Sequence, residues 1–487
     1  MSSIEQLASQ REAKLPLGLK LSYGTGSVLD ATVNTALNIF LLFYATTACG
    51  LSAGLAGGAL GLALVVDAIA EPLIALLSDN YHSRWGRRLP FMVVATPIIM
   101  IGMVLLFSMP NTESQLVLFT WLFICGVLLR VSLSVFNLPF LAAGAEFSDD
   151  QDERTSIITL RWAINMIAAF VTIAVGFSIF FKIEGSLAQR QHYAPFAITL
   201  SAIMLVAALT SMYAVKRTLA RQHVTAVSRG SLFSTIVEDM RELFQSHSFR
   251  VLFGVALLFA TAQGVTQSLG LHANTYFWRL TTEQTQYITL SLALGLIIGA
   301  PLAVLVVTRM ELKTSVIIGL VGLILMQAVP PALKLAGVLT LEGKELAIVL
   351  SAGAIAGGIL TTFAAIALLT MITNAADEHE HRFGVRREGS YFAGWSFATK
   401  AASGLGTLIS GLALQAISFP VQQSKELGMS MVLPQNIANE LGFFYGPGAA
   451  VLTVGAALLM TAFHLDRKGH AAILLELQAR RAKEGTR

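Results

Sequence analysis

Apolar positions gather into twelve long stretches, at about 18–47, 52–79, 90–109, 115–144, 157–181, 194–214, 249–277, 284–307, 313–333, 345–374, 390–418 and 441–464. Each is near or above the roughly 20 residues needed to cross a bilayer as a helix. In hydrocarbon an isolated segment must satisfy its own backbone, which a helix does. The pattern therefore predicts twelve transmembrane helices, and an even number places both termini on one side.

Loop charge predicts which side. The amino-terminal tail, the carboxy-terminal tail and the loops after the second, fourth, sixth, eighth and tenth stretches hold most of the 33 Lys and Arg residues. The opposite loops hold only Lys182, Arg190, Arg279, Lys334, Lys344 and Lys425, and Arg130, Arg161 and Lys400 fall inside stretches. Basic residues stay on the cytoplasmic side, so both termini are expected there, in a plasma (inner) membrane. The polar interval 216–248 contains an amphipathic run, SLFSTIVEDMRELFQ, suited to the membrane surface. It divides the chain into an amino-terminal six-helix half (1–215), a linker (216–248), a carboxy-terminal six-helix half (249–465) and a basic tail (466–487). Acid-rich loops after the fourth and tenth stretches (GAEFSDDQDERTS and NAADEHEHRFGVRREGS) hint at duplication, and paired six-helix halves around a cavity are one transporter plan.

Composition agrees. Of 487 residues, 55% are hydrophobic and 13% charged, where a soluble domain carries about a quarter charged; the mean hydropathy is +0.68. The fold class is an all-α membrane protein. The formal charge of +4 says little, because its location matters more than its sum. Cys49 and Cys125 lie in or near apolar stretches and suggest neither a disulfide framework nor a metal site. The polar first 15 residues do not read as a cleavable signal peptide. No nucleotide-binding P-loop, hydrolase or kinase pattern is present, so neither an enzyme nor an ATP-driven pump is expected. No nucleic-acid partner is expected. His379, Glu380 and His381 lack a third spaced ligand, so no metal other than a coupling cation is expected.

The chemistry lies in polar residues at membrane depth. Asp67 and Glu71 stand four residues apart on one helical face, followed by a basic turn, Arg84, Arg87 and Arg88. Two acids there are costly and read as functional. Their hard oxygens and negative charge suit a cation; the alternative is a structural ion pair with a buried base. Asp30, Asn34 and Asn38 form a stripe in the first stretch. Arg130, Ser134 and Asn137 step along one face of the fourth, and Arg161 and Trp162 open the fifth. Lys400 sits mid-way in the eleventh, after Tyr391 and Trp395. Gln263, Gln267 and Asn274 polarise the seventh; such amides more often join helices than bind ligands. Arg130 can neutralise Asp67 or Glu71, and Lys400 can serve either acid. Binding of a cation at a carboxylate changes which partners the bases prefer and biases an inward–outward equilibrium.

The chain resembles the glycoside–pentoside–hexuronide:cation symporters of the major facilitator superfamily, the melibiose permease family. The likeness rests on DAIAEP, the SRWGRRLPF turn, FNLPF and the GVRREGSYFAGWSFATKAASG stretch, and covers nearly the whole chain. It implies twelve helices in two six-helix halves, alternating access, and coupling to Na⁺, Li⁺ or H⁺. By position it makes Asp67 and Glu71 the cation carboxylates, with Ser134 and Asn137 assisting. It makes Arg161 a residue near the substrate and Lys400 a link between both sites. Asn137 stands where sugar-transporting members often carry Asp. The helix-1 sugar-gripping Asp aligns with Ala31, beside Asp30, and Arg130 replaces a usually small residue. The same branch includes the sodium-coupled lysophosphatidylcholine symporters.

The expectation is thus a symporter, coupled to Na⁺ or H⁺ and needing no cofactor, for a glycoside-like small solute, with a lysophospholipid or other amphipathic lipid as the alternative. Asp67, Glu71, Asn137 and Ser134 would bind the cation. Asp30, Arg161 and Lys400 would orient substrate, with Trp162 and Trp395 as candidates to stack on it and Arg130 as charge partner. The protein is expected to contact membrane lipids and act as a monomer. A membrane scaffold or sensor is a third class, one with no need of six ionisable groups in its core.

Overall fold

A computed structural model describes residues 15–81, 83–145, 147, 150–218, 241–384 and 387–484. The described residues form helices and connecting turns, without strands. The helices are α1 (Leu17–Gly24), α2 (Ser27–Ala36), α3 (Ala53–Asn80), α4 (Leu89–Leu106), α5 (Gln115–Ala145), α6 (Gln151–Val175), α7 (Tyr193–Arg217) and α8 (His247–His272). They continue with α9 (Thr282–Arg309), α10 (Leu312–Leu335), α11 (Gly343–Phe383), α12 (Glu388–Ala416), α13 (Val421–Leu427), α14 (Gln435–Phe443), α15 (Ala449–Thr461) and α16 (Arg467–Glu484). Wider π turns at Leu37–Leu41 and Tyr44–Ala48 continue α2, those at Gly176–Phe180 and Ala273–Phe277 extend α6 and α8, and one at Phe444–Gly448 joins α14 to α15.

Among the described residues, eleven helical spans are long and apolar enough to cross a membrane. The first apolar stretch is not one continuous helix: it breaks after Gly24 and loosens into π turns from Leu37. The helix ends follow local chemistry. Thr281 caps α9, its hydroxyl accepting from Gln284 N at 3.2 Å while the Gln284 side chain accepts from Thr281 N at 3.0 Å. Ser246 caps α8 by accepting from Phe249 N. Gly384, with φ of +76°, ends α11 in the left-handed conformation that glycine adopts at little cost. The last helical residue, Phe383, lies nine residues beyond the expected boundary at 374. The linker's amphipathic run falls mostly outside the described residues.

Two sets of neighbours emerge. In one, α3 and α4 pack on α5, α2 on α6, and α1 and α4 on α7. In the other, α9 and α10 pack on α11, α8 on α12, and α15 on α8 and α10. The sets meet where α3 lies against α12, α6 against α9, and the Leu37–Leu41 turn against α8.

The α3–α12 seam is lined by small residues, which let helix backbones approach closely without steric clash. Gly54 faces Gln415, Gly57 faces Gly411, Gly61 faces Leu408 and Leu64 faces Gly404. A Cβ built on Gly57 would meet the Gly411 Cα at 2.9 Å. The seam occupies the half of the molecule away from the termini. There Thr46 bonds His272 at 2.9 Å, and Gln286 donates to Ser178 at 2.7 Å. Phe43, His272, Tyr276 and Phe419 also stack together, with adjacent ring centres 5.0–6.3 Å apart. One apolar core runs through the first set into this far end; a separate core, around Phe249, Leu320, Leu368 and Tyr391, lies in the second set towards the termini.

Candidate functional site: a carboxylate pair beside an amide-lined cavity

The i, i+4 spacing on α3 holds. Ser134 on α5 donates to Asp67 Oδ1 at 2.7 Å and also lies 3.2 Å from Glu71 Oε1. Asp67 is 5% exposed. Lys400 on α12 donates to Glu71 Oε1 across the two sets of helices. Asp67 and Asp30 also lie within electrostatic reach of Lys400. Arg130 forms neither a hydrogen bond nor an ion pair among the described residues, and its buried Nε lacks a partner. The charge that acts on it is that of Asp67. The basic turn is tied back to α3, where Arg88 Nη1 donates to Ser78 Oγ at 2.8 Å.

Asn137 is placed differently from the expectation. It does not join Asp67 and Glu71 on α3 but donates to Asp30 Oδ1 at 2.9 Å. Asn34 donates to the same oxygen at 3.0 Å, and Asn165 to Asp30 Oδ2 at 3.4 Å. Asp30 is thereby held by three amides, the normal way to satisfy a half-buried charge without a base. Arg161, one helical turn from Asn165, lies against the Tyr23 hydroxyl, which donates to Phe140 O at 2.8 Å. Trp162 is 54% exposed, and Trp395 packs against the core around Phe249 and Tyr391. The structure therefore joins Asp67, Glu71, Ser134 and Lys400, and separately Asp30 and Asn137; Arg161 and the two tryptophans stand apart from both groups.

Between the two sets lies a cavity of about 340 Å³. Asp30, Arg161, Lys400, Trp162 and Trp395 do not line it, and its lining carries no ionisable carboxylate or base. Amides of Asn34, Asn38, Gln263, Gln267 and Asn274 face it from the first and seventh apolar stretches. Ile173, Ile288, Leu292 and Leu296 build an aliphatic wall on α6 and α9. An adjoining cavity of about 230 Å³ shares Asn38, Gln263 and Gln267 and reaches Thr399 and Ser403, which flank Lys400 in sequence. Of the seventh-stretch amides, read as helix-joining groups, Gln263 both joins helices and lines the cavity. Gln327 Nε2 donates to Gln263 Oε1 at 2.8 Å, Gln263 Nε2 donates to Thr361 Oγ1 at 3.2 Å, and Thr453 donates to Gln327 Oε1 at 3.2 Å. Asn274 Oδ1, by contrast, is buried at the cavity with no partner. Gln327 in the ninth stretch gave no signal beyond being an amide in an apolar run.

His379 and His381 turn to different carboxylates, Glu242 at 3.4 Å and Glu476 at 2.6 Å. No group of three or more metal-ligating side chains occurs among the described residues.

The description "MFS/sugar transport protein" matches residues 22–467. The chain belongs to this family of membrane transporters. It is a multi-pass membrane protein and not an enzyme, and its likeness to the glycoside–pentoside–hexuronide:cation symporters extends over almost its full length. The isoprimeverose transporter of Lactiplantibacillus pentosus is 22% identical over 96% of this chain and 93% of its own. The sodium-dependent lysophosphatidylcholine symporter 1 of Gallus gallus is 23% identical over 87% of this chain and 84% of its own. The crystal structure of nucleoside transporter NupG aligns with a TM-score of 0.62 at 14% identity, over 93% of this chain and all of that one. This last likeness concerns the fold of the transporter alone.

Proposed function

We propose that the protein is a cation-coupled symporter, driven by Na⁺ or H⁺, that carries a small uncharged organic solute by alternating access. In this reading Leu17–Ala48 counts as one crossing, giving twelve in two six-helix halves, with both termini cytoplasmic and the cavity facing inward. The observation that carries it is the Lys400–Glu71 ion pair, which ties one half to the other beside the cavity. A coupling cation that neutralises the carboxylate pair competes with Lys400 for Glu71. It weakens a bond between halves and so shifts the balance between states. Ser134, bonded to one acid and close to the other, passes a change at Asp67 to Glu71. The solute lies against the amides of the first and seventh apolar stretches, Asn34, Asn38, Gln263, Gln267 and Asn274. A glycoside fits because its hydroxyls pair with amides without needing a charge, and symporters named for glycosides are among the relatives.

The aliphatic wall on α6 and α9 favours a second reading, an amphipathic lysolipid, the class named for the Gallus gallus relative. The test is the thermal midpoint of the purified protein against a panel of glycosides and lysophospholipids. A ligand that binds the folded state raises it. Stabilisation by a glycoside, lost in Gln267→Leu, supports the first reading; stabilisation by a lysolipid alone replaces it with the second. For coupling, Asp67→Asn and Glu71→Gln should each abolish accumulation of the ligand so identified while sparing exchange. Unchanged accumulation in both overturns the role of the carboxylate pair.

A further inference from the structure

The carboxylate pair is already balanced by bases. Asp67 and Glu71 bring two negative charges and Lys400 and Arg130 two positive ones, while Asp30, also within reach of Lys400, is held apart by the amides of Asn34, Asn137 and Asn165. The position of Arg130 follows from helix register. A methyl built on Gly126 of α5 would meet Ala63 Cβ of α3 at 3.5 Å, and Ser134 reaches Glu71. The same offset along the two helices sets Arg130 level with Asp67, between those two contacts. Its charge is felt by Asp67, yet it makes no ion pair or hydrogen bond there. It supplies charge without occupying the acid's lone pairs, one of which accepts from Ser134.

A sodium ion needs several oxygen ligands and an uncompensated negative charge. The oxygens of Asp67, Glu71 and Ser134 supply the first, but Arg130 and Lys400 cancel the second. Adding a third cation beside Asp67, which is buried, and Glu71, which already pairs with Lys400, forces one base away from its acid, which the burial of Asp67 makes costly.

We infer that Arg130 holds the electrostatic place a sodium ion would take, so that the native carboxylate pair does not bind Na⁺ and loss of Arg130 creates a site that does. The inference rests on the reading that Asp67 and Glu71 receive the coupling ion.

The experiment titrates NaCl, with choline chloride at equal ionic strength as control, against the purified full-length protein and follows the thermal midpoint and direct ²²Na⁺ binding. The variants are Arg130→Ala, the size-matched Arg130→Gln and the charge-keeping Arg130→Lys, each alone and with Asp67→Asn. The expected result is no Na⁺ response in the native protein or Arg130→Lys. Arg130→Ala or Arg130→Gln should show a midpoint that climbs with Na⁺ concentration, and Asp67→Asn should remove that response. Na⁺ binding by the native protein that needs Asp67 overturns the inference while upholding the carboxylate pair as the coupling site. Absence of Na⁺ binding in every folded Arg130 variant overturns it as well. Should Arg130→Ala fail to fold, Arg130→Gln decides. The reading beneath it fails on different evidence, unchanged solute accumulation in Asp67→Asn and Glu71→Gln.

Discussion

Asn137 donates to Asp30 at 2.9 Å, joining α5 to α2 through a charge-assisted hydrogen bond. A carboxylate at position 137 would face Asp30 instead of bonding it. Asn137→Asp should lose about 1.5–3 kcal/mol of stability at neutral pH, the value of a hydrogen bond to a charged group. Thermal or denaturant unfolding in a fixed detergent checks this. Asn137→Ser, which keeps a donor, should lose less.

The Lys400–Glu71 pair predicts a thermodynamic cycle. Lys400→Met leaves Glu71 with an uncompensated charge, and Glu71→Gln does the same to Lys400. The double variant should be more stable than the sum of the single losses implies, by about 0.5–3 kcal/mol of coupling. Additive losses would show that the pair contributes nothing to holding the halves together.

The seam between α3 and α12 predicts a conformational effect. A Cβ at Gly411 would meet Ala53 O at 2.5 Å and the Gly57 Cα at 2.7 Å. These are backbone atoms that cannot step aside. Gly411→Val should hold the far end open. A single cysteine introduced at Tyr276, buried beside Phe419 in the native protein, should then react with a membrane-impermeant maleimide from that side many times faster than in the glycine protein.

The amide chain predicts a cost in stability together with one in binding. Gln263→Leu removes the acceptor of Gln327 and the donor to Thr361. The expected loss is about 1 kcal/mol, at the low end for stranded buried groups because the cavity admits water. Affinity for the ligand found in the panel should fall about tenfold, the equivalent of 1.4 kcal/mol, while Gln263→Asn should fall between the two proteins.

A pH effect is expected on the surface helix α16. His381 bonds Glu476 and holds its carboxyl below the usual range, with Arg480 adding to the effect. A lowered carboxyl favours the docked helix above the ordinary glutamate value of about 4.3, and the contribution is lost as pH falls through the lowered value. His470 bonds Asp377 at 3.0 Å on the same surface. Hydrogen exchange of residues 467–480 should therefore quicken in acid, and Glu476→Gln should remove that part of the pH dependence.

Much of the architecture is legible in the amino-acid sequence. Membrane-length apolar runs located the spanning helices, and the four-residue spacing of Asp67 and Glu71 placed both acids on one face of α3, because helix geometry is local. Asn137 went to Asp30 because its partner depends on the rotation of α5 against two neighbours at once, which one helix's spacing does not contain. Trp395 turned into a core for the same reason. The cavity amides were visible as Gln263, Gln267 and Asn274, but an amide in an apolar run reads the same whether it joins helices or faces a ligand. Here Gln263 joins helices and also lines an open volume, which spacing along one helix does not reveal.

The glycine pairing of Gly57 with Gly411 carries a calorimetric consequence. Where backbone meets backbone, parting the helices uncovers little hydrocarbon, and exposed hydrocarbon is what raises the heat capacity. The heat-capacity change of opening should therefore come from the rings of Phe43, Tyr276 and Phe419 beside the seam and not from the glycine contact itself. Replacing those rings with small side chains should straighten the van 't Hoff line of the gating equilibrium, whereas Gly57→Ala should leave its curvature nearly unchanged.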